Sequence, residues 1–132
     1  MHKNYLAIGA LLGGTGVALG AFGAHGLQKL TADEQVLHGY QTAVQYQLYH
    51  SLALISVSLL SEKIKSRWIN TAMFCFITGI IFFSGSLYLL TWLKLQNSDA
   101  TRYVGPITPV GGLFLIAGWL FLVGAALKRD RS

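Results

Sequence analysis

Uncharged apolar runs alternate with short charged segments along this chain. Residues 5–24, 35–61, 68–93 and 103–127 contain no Asp, Glu, Lys or Arg. Each run meets or exceeds the roughly 20 residues, at about 1.5 Å of rise each, that a helix needs to cross a hydrocarbon core. A surface helix of a soluble domain carries an apolar stripe on one face; most of these runs are apolar on every face. The pattern predicts an all-α polytopic membrane protein, an antiparallel four-transmembrane-helix bundle in a single membrane domain. Its spans are expected at about 5–24, 42–61, 68–92 and 108–127.

The first run holds Gly9-xxx-Gly13 and Gly16-xxx-Gly20, with Ala10, Gly14 and Ala18 beside them. Small-xxx-small rows let membrane helices approach backbone to backbone, which predicts a helix central to the bundle. It ends in Gly20-Ala21-Phe22-Gly23-Ala24-His25-Gly26-Leu27, with Gly26 read as the stop. Thr31-Ala32-Asp33-Glu34 then reads as a capping box, Thr31 as cap and Glu34 reaching back. A helix from there to Ser61 is roughly 45 Å long, more than a bilayer core of about 30 Å. Its first turns, about 32–41, are therefore expected as an outer interfacial helical extension, with Gly39 as the bend. The short 62–67 connection makes the third helix antiparallel to the second. That third run opens at Trp68 and closes at Trp92, as interfacial aromatic belts do. Pro106 and Pro109 suit the first turn of the fourth helix, in which Gly111, Gly118 and Ala125 recur every seventh residue.

Composition agrees: 53% of residues are hydrophobic and 11% charged, against roughly 25% charged in soluble domains. A net charge of +5 raises the question of nucleic acid, but the ten basic residues are spread over every loop. Seven of them (Lys3, Lys63, Lys65, Arg67, Lys128, Arg129 and Arg131) fall on one side, and Lys29, Lys94 and Arg102 on the other. The positive-inside rule places both termini and the 62–67 loop in the cytoplasm and argues against dual topology. No nucleic-acid partner is expected. Lys3 before an apolar run with small residues at 18–24 imitates a cleavable signal, but the run is glycine-rich rather than leucine-rich. Cys75 is alone, which excludes a disulfide or CxxC chemistry within the chain.

Several motifs occur in order: GAFGAHGL at 20–27, Tyr40-Gln41, Tyr49-His50-Ser51-Leu52-Ala53-Leu54, Phe83-Ser84-Gly85-Ser86-Leu87-Tyr88, ITPVGG at 107–112 and Gly118-Trp119. With these the chain resembles, over essentially its whole length, the small membrane-protein family catalogued as domain of unknown function 423, or uncharacterised protein family 0382. It is similar also to the eukaryotic transmembrane protein 256 group. The resemblance implies a four-helix protein of the bacterial cytoplasmic membrane and brings no established activity or catalytic residues.

On the predicted topology, His25, Gln41, Gln45, Ser84, Ser86, Tyr88, Thr91 and Thr108 belong to the outer half of the bundle. Polar groups in lipid must find partners inside the protein, so these residues are expected to face one another, His25 opposite Gln41 and Gln45. His50, with Tyr46, Gln47 and Leu54 on its helical face, is expected near the midplane, where an ionisable residue is a functional candidate. His38 and His50 are roughly 18 Å apart along one helix and cannot share a metal. No acid or cysteine accompanies His25 there, so no metal site is expected. Serines without a paired His and acid give no catalytic residues. No cofactor is assigned, although a b-type haem held by His25 and His50 is sterically conceivable.

The sequence therefore favours a structural or accessory membrane protein, not an enzyme, whose partners are the lipid bilayer and a second copy or another membrane protein. A lipid-, quinone- or haem-binding protein using the outer polar cluster is the alternative. An oligomeric small-solute transporter comes third, since the acids all lie in loops and tails. Gly9, Gly13, Gly16, Gly20, Gly23, Gly111 and Gly118 are the expected packing positions.

Overall fold

The computed structural model describes residues 3–129 and is all-helical, with no strand among the described residues. Arg131, counted above in the charge bias, lies outside them. Helix α1 (Lys3–Phe22) runs into a single π-helical turn (Gly23–Leu27) and a last short turn, α2 (Gln28–Leu30). Then follow α3 (Glu34–Leu60), α4 (Arg67–Leu95), a short α5 (Thr101–Val104) and α6 (Ile107–Arg129).

The ends of these helices follow local chemistry, and two differ from expectation. Gly26 does not stop the first helix. The chain widens into the π turn, continues to Leu30, and leaves the helix only at Thr31, whose backbone is extended (φ −152°, ψ 145°). The capping box is also displaced. Asp33 is the cap of α3, its carboxylate accepting from the Gln35 amide at 2.9 Å, while the Thr31 hydroxyl accepts from the Asp33 amide at 3.1 Å. A carboxylate is as good a cap as a hydroxyl, and Thr31 is occupied in turning the chain. Ser66 caps α4 through the Trp68 amide at 3.2 Å. Helix α4 ends in a Schellman motif: Asn97 takes a left-handed conformation (φ 55°), and the Ser98 amide donates to the Leu93 carbonyl at 3.0 Å.

The four long helices form two antiparallel pairs. In the first, Gly9, Gly13, Gly16 and Gly20 of α1 and Gly23 of the π turn face Ile55, Ser51, Leu48, Val44 and Tyr40 of α3 in turn. Each step of about three and a half residues along α1 is met by the same step in the opposite direction along α3, the seam of an antiparallel coiled pair. A Cβ at Gly9 or Gly16 would come within 2.8 Å of the Ile55 or Leu48 side chain. In the second pair, Gly79 of α4 accepts Leu115 of α6, while Gly111, Gly118 and Gly124 of α6 accept Phe83, Phe76 and Trp68 of α4. The pairs join through α3 and α4, around a core of Leu54, Val57, Ile69, Met73, Phe76, Ile80, Leu115 and Ala125. A smaller cluster of Leu27, Tyr40 and Val44 closes the end near the π turn.

Helix α1 is not the centre of the bundle. Its extensive packing is on α3 alone, and Leu11 and Val17 on its far side are 67% and 64% exposed. Its glycines lie on one seam, whereas Gly14 has open space around it. The small residues that suggested packing on several faces thus serve a single one. Segments Lys3–Leu30, Arg67–Leu95 and Thr101–Lys128 are long and apolar enough to cross a membrane. Helix α3 does not qualify by composition, because it carries Gln41, Gln45, Gln47 and His50 in its first two thirds. No break occurs at Gly39; the helix is continuous from Glu34 to Leu60.

At Gly111 a Cβ would collide with the backbone of Phe82 and Phe83 rather than with a movable side chain. Gly111→Ala is expected to destabilise the protein in detergent by roughly 1–3 kcal/mol, the usual cost of overpacking. Gly14→Ala should be neutral or stabilising, by up to about 1 kcal/mol from helix propensity. Thermal unfolding of both variants in one detergent checks the contrast; equal melting temperatures contradict the packing scheme.

Candidate functional site

The inward face of α3 carries Tyr40, Val44, Gln47, Ser51 and Leu54, continuing the spacing that meets the α1 glycines. On this face Gln47 is 4% exposed and reaches both neighbouring helices. Its Nε2 donates to the Leu12 carbonyl at 2.8 Å and to the Thr15 hydroxyl at 3.0 Å, both on α1. Its Oε1 accepts from the Tyr88 hydroxyl of α4 at 2.7 Å. The partners fix the amide orientation, since a flipped amide would set an oxygen against the Leu12 carbonyl. Thr15 can accept because its own proton goes back to the Leu11 carbonyl at 2.9 Å.

Three further bonds tie the helices at this level. Tyr40 donates to the Leu19 carbonyl of α1 at 2.5 Å, and its ring meets that of Tyr88 edge-on at 5.4 Å. Ser84 of α4 donates to the Ala43 carbonyl of α3 at 2.7 Å. Ser86 shares a 2.5 Å hydrogen bond with Thr108 of α6. Ser51 bonds within α3 to the Gln47 carbonyl.

Less than one turn beyond Gln47 on α3, His50 sits in an aromatic box of Tyr46, Phe76 and Trp119, with ring centroids 5.9, 5.6 and 5.8 Å away. Its Nδ1 lies 2.8 Å from the Tyr46 carbonyl, and its Nε2 lies 3.1 Å from the indole Nε1 of Trp119. A carbonyl only accepts and an indole N–H only donates. The imidazole must therefore carry its proton on Nδ1 and accept at Nε2, which joins α3 to α6. Tyr46 stacks on His50 and on Phe83 at 4.6 Å, with its outer side exposed.

The structure thus brings His50, Tyr46, Ser84, Ser86, Tyr88 and Thr108 into interhelical contacts, and it corrects three expected members. His25, Gln41 and Gln45 are exposed and make no side-chain hydrogen bond within the described residues. Leu27, 1% exposed, takes the inward position of the π turn, and His25, two residues or close to half a turn away, falls on the opposite side. On α3 the inward positions belong to Tyr40, Val44 and Gln47, which turns Gln41 and Gln45 outward. Gln47 and Trp119 are the members the sequence reading did not single out. Gln47 was visible in the 40-44-47-51-54 spacing; Trp119 carried no local signal beyond its place after Gly118.

The arrangement can hold helices in register. Among the described residues no buried side-chain nitrogen or oxygen lacks a partner, and no group of three or more His, Cys, Asp or Glu side chains comes together. The lone Cys75 is buried and unpaired.

Residues 19–112 match the family model described as a protein of unknown function, DUF423. The chain is 40% identical to a UPF0382 membrane protein of Staphylococcus haemolyticus, over 96% of this chain and 97% of that one. It is 44% identical to a UPF0382 membrane protein of Schizosaccharomyces pombe, over 85% of this chain and 92% of the other. A UPF0382 membrane protein of Haemophilus influenzae is 34% identical over 97% of each chain. No solved structure matches the chain. The chain belongs to the DUF423 family of membrane proteins, catalogued also as UPF0382.

Proposed function

We propose that this chain is a non-enzymatic structural or accessory component of a bacterial cytoplasmic membrane, which it crosses four times with both termini in the cytoplasm. The observation that supports a structural role is the closure of the buried polar side chains on partners within the protein, with none among the described residues left unpartnered. Gln47 uses both amide protons and its carbonyl in joining α1, α3 and α4. The lipid bilayer is its constant partner. A second copy or another membrane protein would dock on the outer faces, since the glycine seams are filled within the chain.

Four crossings are supported by the position of α3. It is antiparallel to α1 along the whole seam from Gly9 to Gly23 and packs on α4 on another side, so it shares their depth. Its polar residues are tolerated because Gln47 and His50 bond inside the protein. At 27 residues it is about 40 Å long against a core of about 30 Å, which leaves its first turns, Glu34 to Gln41, as the outer interfacial extension.

The haem alternative loses ground on geometry. Both ring nitrogens of His50 are engaged, Nε2 by the Trp119 indole, and His25 is turned outward. Ligand binding by the outer cluster as first drawn loses His25, Gln41 and Gln45 for the same reason. A transport pathway gains nothing, because Asp33, Glu34, Glu62 and Asp99 lie at helix ends and in connections.

Two outcomes are expected. His50→Leu and Gln47→Leu should each lower stability in detergent by about 1 kcal/mol, since interhelical hydrogen bonds in membranes average about 0.6 and reach about 1.7 kcal/mol. Any cellular phenotype of deletion should then return only in proportion to lost folded protein. A His50 variant that keeps its melting temperature and abundance yet abolishes that phenotype contradicts the structural reading. A reporter fused after Ser132 should be active only in its cytoplasmic form; activity on the outside reverses the topology.

A further inference from the structure

At the end of the molecule away from the π turn, α4 begins where α6 ends, and the surface between them is hollow. The cavity measures about 420 Å³ and is lined by Arg67, Trp68, Thr71, Phe121 and Lys128. Its wall is built rather than incidental. Gly124 lets the Trp68 indole lie against α6, since a Cβ there would come within 2.7 Å of the ring. The Phe121 ring, also on α6, packs tilted against the indole with centroids 5.5 Å apart. The Lys128 ammonium stands 4.4 Å from the Trp68 ring centroid, a cation–π contact that holds the charge at the mouth. No carboxylate lines the hollow, and neither Arg67 nor Lys128 forms an ion pair among the described residues.

These features select an anion with an apolar body. The dipoles of α4 and α6 oppose each other at this point, and the Thr71 hydroxyl already donates to the Arg67 carbonyl at 2.9 Å, so attraction falls to the two side-chain charges. A small free anion has no use for an indole and a phenyl wall. Beside the hollow, Leu120, Val123 and Leu127 form an exposed apolar strip on α6, three and four residues apart. Trp68 belongs at the membrane–water boundary.

We propose that this hollow is the headgroup site of an anionic phospholipid, its phosphate between Arg67 and Lys128, its glycerol against Trp68 and Phe121, and its acyl chains along the Leu120–Leu127 strip. The leaflet, the cytoplasmic one, rests on the charge-derived topology proposed above; the site itself does not.

The test is native mass spectrometry of the full chain in neutral detergent, offered equal amounts of phosphatidylglycerol and phosphatidylcholine of the same acyl length. The wild type should retain phosphatidylglycerol preferentially, and less so as salt rises. Arg67→Gln and Lys128→Gln should each lower that retention about fivefold, the worth of one basic residue at an anionic surface. Both should keep the wild-type melting temperature, and Lys63→Gln, outside the lining, should change retention less than twofold. Equal retention of the two lipids overturns the proposal, as does wild-type retention by the double variant. Displacement of phosphatidylglycerol by millimolar inorganic phosphate alone assigns the site to a free anion and overturns it too. A reversed topology in the reporter experiment moves the lipid to the other leaflet and leaves these outcomes unchanged.

Discussion

Helices surrounded by hydrocarbon gain little by hiding apolar surface from one another, because lipid tails are as apolar as leucine. They are held by how closely their atoms approach. In this chain close approach depends on glycine, used twice in the same way. Four glycines of α1 and Gly23 of the π turn receive the side chains of α3, and Gly79, Gly111, Gly118 and Gly124 join α4 to α6. Each seam runs antiparallel with a period near three and a half residues, so each pair is fixed in register over several turns. The outward faces are left to lipid, which is why Leu11, Leu120 and other large apolar side chains stand well exposed.

Close packing settles distance; the hydrogen bonds settle which residues are opposite. Gln47 can meet Leu12, Thr15 and Tyr88 together only when α1, α3 and α4 are at one mutual height. A slip of one residue, about 1.5 Å along the axis and 100° around it, breaks all of these bonds and leaves a buried amide in a medium with no water to replace them. The modest strength of each bond understates its effect, because the alternatives are penalised more than the native register is favoured.

How legible this was follows from the range of each signal. The apolar runs, the charged connections and the glycine rows are local or periodic, and they point to the four long helices and to seven of the nine seam glycines, leaving out Gly79 and Gly124, which stand outside any small-residue row. The inward face of α3 was also periodic, but two glutamines and a histidine on other faces competed with Gln47 for attention, and polarity alone does not give direction. The π turn is the clearest loss. No residue type in GAFGAHGL announces it, but the 9-13-16-20-23 spacing carried on to 27 already sets Leu27 inward and His25, two residues away, outward. Trp119 opposite His50 depends on the packing of α6 against α4, a distance of 69 residues in sequence that no spacing argument reaches.

The two glycine seams and the polar contacts divide the labour unequally. Within each antiparallel pair the helices are closed by glycine, but no glycine of α3 or α4 is set against the other. That joint rests on the apolar core around Leu54, Phe76 and Ile80, on the Ser84–Ala43 and Tyr88–Gln47 hydrogen bonds, and on the Trp119–His50 bond that spans from α6 to α3. The molecule is therefore two glycine-closed pairs joined along an apolar face. The α3–α4 joint is packed about as extensively as the α1–α3 seam, so the hydrogen bonds there select the register rather than carry the attachment. His50, bonded to Trp119, extends that registration from α3 to α6.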